Sequence, residues 1–205
     1  GRGYMAPYSD VDLLILHSPV AAGRIRPLLD FILYPLWDAG LKVGHAVHTP
    51  ASAVNFAKTD ITARTAFLDA RLLCGNRSLF NDFQMAYEKL RKRTVKEFVA
   101  AKLAEQDARH EKSDQSRHLV EPDIKEGKGG LRDLQTLYWL YKYAYGGDVF
   151  SEKKSGPKML GPDDLQAVAK GVRFLWSVRI HLHDIRGRAD EKLSFDIQPQ
   201  IAQRL

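Results

Sequence analysis

The spacing of apolar residues changes once along the chain: strand-like patterns occupy the first fifty residues and helix-like patterns the rest. Val11 to Leu16 is an unbroken run of β-branched residues and leucines around one aspartate, flanked by Pro7 and Ser9 before and by Ser18 and Pro19 after; this predicts an interior strand. Gly23 to Ala39 places Ile25, Leu28, Leu29, Ile32, Leu33 and Leu36 at helical spacing and ends at Gly40. A second strand, LKVGHAVHT, follows, with Leu41, Val43, His45 and Val47 on one face and Lys42, Gly44, Ala46 and His48 on the other.

From Thr49 onward the pattern predicts helices alone, broken at Gly75, across Glu121 to Gly130 and across Gly146 to Pro162. Thr59 to Leu73 reads as a helix capped by Thr59 or Asp60, with Ile61, Thr65, Leu68 and Leu72 inward. Phe80 to Arg117 reads as a long charged helix or helix pair with Val95, Phe98, Val99 and Leu103 as a narrow apolar stripe. Leu131 to Tyr145 buries Leu134, Leu137, Tyr138 and Tyr141, and Pro162 to Arg186 buries Leu165, Val168, Val172, Leu175, Trp176 and Ile180. The implied architecture is α+β: a small α/β unit over residues 1–75, lacking its beginning, and an all-helical unit over 76–205.

Composition changes this picture little. With 31 Lys and Arg against 25 Asp and Glu the net charge is +6, which favours phosphate-bearing ligands, acidic partners or nucleic acid without choosing among them. The basic residues alternate with acids along the helices and are not interleaved with exposed aromatics, which argues against a nucleic-acid-binding module. The single cysteine, Cys74, excludes an intramolecular disulfide, fits a reducing, cytoplasmic setting, and reads as a small buried hydrophobe. The longest apolar run is too short to span a bilayer.

Two stretches carry chemistry. In GRGYMAPYSDVDLLIL, Asp10 and Asp12 lie two apart at the entrance of a strand and so project the same way, about 6 to 7 Å apart. Unpaired like charges repel. Converging carboxylates suit hard divalent cations that bridge to substrate phosphates, and the Gly1-Arg2-Gly3 turn supplies backbone and a cation able to approach a phosphate closely. A solvated Asp-x-Asp at a strand end is the other reading. In EPDIKEGKGGLRDLQTL, the cations Lys125, Lys128 and Arg132 surround Gly127, Gly129 and Gly130 just ahead of a helix, a composition suited to anions; Asp133 in the first turn reads either as a helix-dipole and capping residue or as a metal ligand. A flexible turn between units is the competing reading of that loop.

The Gly-x-Gly, spacer and Asp-x-Asp combination resembles the DNA polymerase β-like nucleotidyltransferases. The ordered set GRGYMAPYSDVDLLIL, GLKVGHAVHT, DARLLCG, RHEKSD, EPDIKEGKGGLRDLQTL and LSFDIQPQIAQRL is similar, over essentially the whole chain, to the N-terminal part of the bifunctional uridylyltransferase/uridylyl-removing enzymes that modify the PII nitrogen-signalling protein. That resemblance implies transfer of UMP from UTP to a tyrosine of PII with release of pyrophosphate, dependent on Mg²⁺ or Mn²⁺. It makes Asp10 and Asp12 metal-binding catalytic residues, and Gly1, Arg2, Gly3, Lys125, Gly129, Gly130 and Arg132 nucleotide- and phosphate-binding residues. It also implies a truncated polymerase β-like domain followed by a helical bundle, with no counterpart here to the family's HD-type hydrolase or ligand-sensing domains. That puts the activity of this piece by itself in question.

Superfamily members often carry a third acid on a neighbouring strand. LKVGHAVHT has none, which leaves His45 as a possible substitute, with Asp60 and Asp69 more naturally helix caps and surface partners. His181, His183 and Asp184 in IHLHDIRGR lie together near one helix end and read as capping or solvated residues. The related adenylyltransferases acting on glutamine synthetase share the acid pair, but their loop reads closer to Gly-Gly-Ile-Arg-Glu, so GGLRD favours the uridylyl enzymes.

Overall fold

The structure is a computed structural model and describes residues 5–114, 121–150 and 156–205. It is mostly helical with one two-stranded sheet, an α+β composition, and divides into two compact units, residues 1–94 and 95–205.

In the first unit, β1 (Val11–Leu16) and β2 (Val43–His48) run parallel, joined by a 3-10 turn over Pro19–Arg24 and helix α1 (Ile25–Asp38). Parallel neighbours need such a crossover, because a tight turn returns the chain antiparallel. Register pairs Asp12 with Gly44 and Leu13 with His45. Trp37 ties the end of α1 to β2, its indole N–H donating to the Val43 carbonyl at 3.4 Å.

Three helices complete the unit: α2 (Pro50–Thr59), α3 (Ile61–Leu68) and α4 (Arg77–Arg93). The expected helix over Thr59 to Leu73 is present as α3, capped by Asp60 but ending at Leu68, and a separate helix, α2, precedes it. Thr49 and Ser52 form a reciprocal capping box and Pro50 occupies the first turn, so a helix starts at 50; Asp60 then caps the next one, its carboxylate accepting from the Ala63 amide at 2.7 Å. Ala53 and Ala57, both fully buried, keep α2 slim where α4 packs on it, and α4 brings Phe83 and Tyr87 against Phe67. Arg64 is buried: its Nε donates to the Ala57 carbonyl at 2.6 Å, and its own carbonyl accepts from the Tyr87 hydroxyl. Cys74 is exposed, contrary to its reading as a small core residue.

In the second unit, α5 (Val95–Asp114) packs on α6 (Leu131–Tyr145), and α7 (Pro162–Arg186) and the short α8 (Gln198–Ala202) enclose a core of Ile124, Val178, Leu182, Ile197 and Ile201. The break at Thr94 resolves the expected helix pair. Two inward assignments fail. Leu103 is 43% exposed while Lys102 is buried, and Ile180 is 42% exposed while Arg179 and His183 are buried. Hydropathy ranks these polar residues outward, but each has a partner that makes burial tolerable. His183, fully buried, is therefore neither a solvated nor a capping residue.

Candidate functional site

Asp10 immediately precedes β1 and Asp12 is its second residue; both are exposed and open into one cleft of about 420 Å³, lined also by Trp37, Lys42, Val43 and Gly44. Among the described residues neither carboxylate has a hydrogen bond or ion pair, so their oxygens are free for a ligand. Glycine at 44 is what lets Asp12 lie across the sheet: a Cβ built there falls 3.0 Å from Asp12 Oδ1. Two hard oxygen donors open to solvent suit Mg²⁺ or Mn²⁺. Among the described residues there is no cluster of three or more Asp, Glu, His or Cys side chains able to hold a metal.

The glycine-rich loop has the opposite character, because the protein fills nearly every donor and acceptor it offers. Asp123 Oδ1 accepts from the Lys125 and Glu126 amides at 2.8 and 2.7 Å, folding the chain back. The Leu131 and Arg132 amides, at the start of α6, donate to the Ile124 and Lys125 carbonyls at 3.0 and 2.8 Å. A Cβ on Gly130 would meet three carbonyl oxygens at 2.8 to 2.9 Å and one on Gly127 would meet the Asp123 carbonyl oxygen at 2.5 Å, while Gly129 takes φ +75°. Close backbone approach, together with one left-handed residue, explains the glycines.

Asp133 anchors this loop to α5. Its carboxylate accepts from the Gln106 side-chain amide at 3.0 Å, the Gly129 amide at 2.8 Å and an Arg109 guanidinium nitrogen, and His110 Nε2 lies 3.0 Å from both oxygens. A carboxylate supplies no proton, so the shared hydrogen belongs to His110 Nε2. Burial is the largest influence on Asp133 and would raise its pKa; the four donors together outweigh it and hold the carboxyl below its ordinary value. On its other side the loop is stitched to residues 191–195: Asp123 bridges Lys192 antiparallel, the Ile124 amide donates to the Glu191 carbonyl at 2.9 Å, and Glu121 pairs with Lys192 at 2.8 Å. Glu191 in turn receives Arg179 at 2.5 to 3.0 Å. RHEKSD, KEGKGGLRD and the LSFD segment, far apart in sequence, thus form one clasp.

The family described as GlnD PII-uridylyltransferase matches residues 97–205, which hold this clasp. The chain belongs to that family. The bifunctional uridylyltransferase/uridylyl-removing enzyme of Azospirillum brasilense is 44% identical over 206 aligned residues, taking in all of this chain and 22% of the relative, so the chain spans about a fifth of that protein's length. No solved structure matches.

Within this GlnD-family chain the residues expected at the site divide sharply. Asp10 and Asp12 come together, with Trp37, Lys42 and Gly44, whose part in the cleft only the register of the two strands reveals. His45 pairs with Leu13, one residue off the Asp12 register, and so lies on the opposite face of the sheet from Asp12; its ring is 6.1 Å from Trp37. Asp133 accepts hydrogen bonds from Gln106, Arg109 and His110 of α5 and from the Gly129 amide of its own loop. Lys125 and Arg132 face Glu126 and Glu191, and the Gly129 amide is taken by Asp133. Gly1, Arg2 and Gly3 lie outside the described residues. No helix among those described is long and apolar enough to cross a membrane.

Proposed function

We propose that this chain carries the metal-binding acid pair of a uridylyltransferase that moves UMP from UTP to a tyrosine hydroxyl of the PII signalling protein and releases pyrophosphate, in the control of nitrogen metabolism. The observation that carries this is the open cleft into which Asp10 and Asp12 both project with no protein partner among the described residues. Family membership and the uridylyltransferase name of the Azospirillum relative support the uridylyl group as cargo.

Asp10 and Asp12 would hold Mg²⁺ or Mn²⁺, which when bound neutralises triphosphate charge and orients the α-phosphorus for displacement. The chain's own share is positional. The β1–β2 register aims both carboxylates one way, Gly44 leaves room for Asp12, and Lys42 adds a cation at the same cleft. Phosphate contacts by Arg2, Gly1, Gly3, Lys125, Gly129, Gly130 and Arg132 belong to the same proposal; for Lys125 and Arg132 they require exchange of Glu126 for phosphate oxygens.

The test is label transfer from UTP or ATP to purified PII with Mn²⁺, comparing the unaltered sequence with Asp10→Asn, Asp12→Asn and the double variant, in the full-length protein. Transfer from UTP alone, lost in all three variants with unchanged circular dichroism, is expected. Labelling by the double variant, or a preference for ATP, would overturn the proposal.

A further inference from the structure

The side chain of Glu126 is ringed by cations. Arg132 holds it with Nη2 at 3.0 Å and Nε at 3.2 and 3.4 Å, Lys125 Nζ lies 3.8 Å away, and Arg109 Nε 3.9 Å away. Arg132 is braced independently of Glu126, donating to Gln135 Oε1 at 3.0 Å and lying 5.6 Å over the Trp139 ring. Arg109 is only 15% exposed, and its Nε is buried with no hydrogen-bond partner, aimed at the Glu126 carboxylate but beyond bonding distance. Glu126 is 40% exposed, and its backbone is fixed through the Asp123 carboxylate, so the side chain can swing to solvent without disturbing the loop.

We infer that Arg109, Lys125 and Arg132 form a seat for a phosphate-type oligoanion, and that Glu126 is its resident, displaceable occupant. Forked guanidinium donors accept a carboxylate or a phosphate alike, but only the larger anion has oxygens enough to satisfy the idle Arg109 Nε as well. Asp133 and Glu191 remain as the fixed counter-charges of Arg109 and Lys125 and are not displaced. That the anion is a triphosphate or pyrophosphate rests on the nucleotidyl-transfer reading; the seat itself does not. Glu126 then acts as a placeholder that keeps three cations from repelling one another and sets a threshold for the incoming charge.

The probe is inorganic tripolyphosphate, titrated calorimetrically into the 205-residue chain at low salt with chelator present, so that Asp10 and Asp12 cannot contribute through metal. Removing the competing carboxylate in Glu126→Gln is expected to tighten binding by about tenfold, while Arg132→Gln weakens it by about tenfold and Lys58→Gln, in the other unit, leaves it unchanged. Arg132→Lys, which keeps the charge but loses the fork, should weaken binding with circular dichroism intact, and covers the case in which Glu126→Gln does not fold. Binding by Glu126→Gln no tighter than the unaltered chain, or equal weakening by Lys58→Gln, would overturn the seat. Unchanged tripolyphosphate binding in the Asp10 and Asp12 variants keeps this result separate from failure of the transfer reaction.

Discussion

Asp12 and Gly44 face one another across the two parallel strands, and the space between them is the width of one missing methyl group. Alanine at 44 would meet Asp12 Oδ1 at 3.0 Å, and because that atom ends a short mobile side chain the fold loses little. Orientation loses more. Gly44→Ala is expected to lower kcat for the proposed UMP transfer by roughly ten- to a hundredfold while moving Tm by no more than about 2 °C, a split that parallel kinetics and thermal melts would show. At Asp133 the expectation is reversed. Asparagine there strips the counter-charge from Arg109 and an acceptor oxygen from His110 at a side chain only 17% exposed, and should cost about 2 to 3 kcal/mol at pH 7 in urea unfolding. The sign of its pH dependence follows from the lowered folded-state pKa: the ionised carboxyl stabilises above the unfolded value near 3.9 and that contribution is lost as pH falls through the folded value. The gap between Asp133→Asn and the unaltered chain should therefore narrow below about pH 4.

Among the elements, α5 and α6 show how a contact can grade from apolar to ionic along its length. Phe98 stacks on Tyr143 with centroids 3.8 Å apart, Lys102 lies 4.9 Å over Trp139, and Gln106, Arg109 and His110 close on Asp133. Phe98→Ala should cost about 3 to 4 kcal/mol, whereas Leu103→Ala, one turn on but outward, should stay within about 0.5 kcal/mol; chemical denaturation of the two variants checks the facing. Here the sequence misleads for a physical reason. Helical period was legible in the limits of α6 and α7, because glycines bound both and Pro162 opens the second, and β1 was legible from its flanking turns. The inward face was legible in Phe98, Tyr138 and Tyr141, which are buried as their spacing predicts, but not at Lys102, Arg179 and His183, which are buried through partners that hydropathy does not weigh. The acid pair could be read because it is local to one strand. Lys42, Gly44 and Trp37 could not, because only pairing across the crossover brings them to Asp12.

At the scale of the molecule, the family match over 97–205 nearly coincides with the compact unit 95–205, while the acid pair belongs to the unit 1–94. The second unit has its own core in Ile124, Val178, Leu182, Ile197 and Ile201 and its own ionic clasp. Expressed alone, residues 95–205 should unfold in one cooperative transition by circular dichroism and retain the sensitivity to Asp133→Asn; a gradual melt would show that the unit depends on the rest of the chain.

The clasp also has a consequence for inheritance. Positions 109–110, 123–133 and 191–195 touch one another although tens of residues of chain separate them, so a lesion in one is felt by the others. Suppressor screens begun from an Arg109 or Lys192 defect should recover second-site changes in the glycine loop and its partners more often than in neighbouring sequence, and paired substitutions there should depart from additivity. To a geneticist, three distant stretches would behave as a single locus.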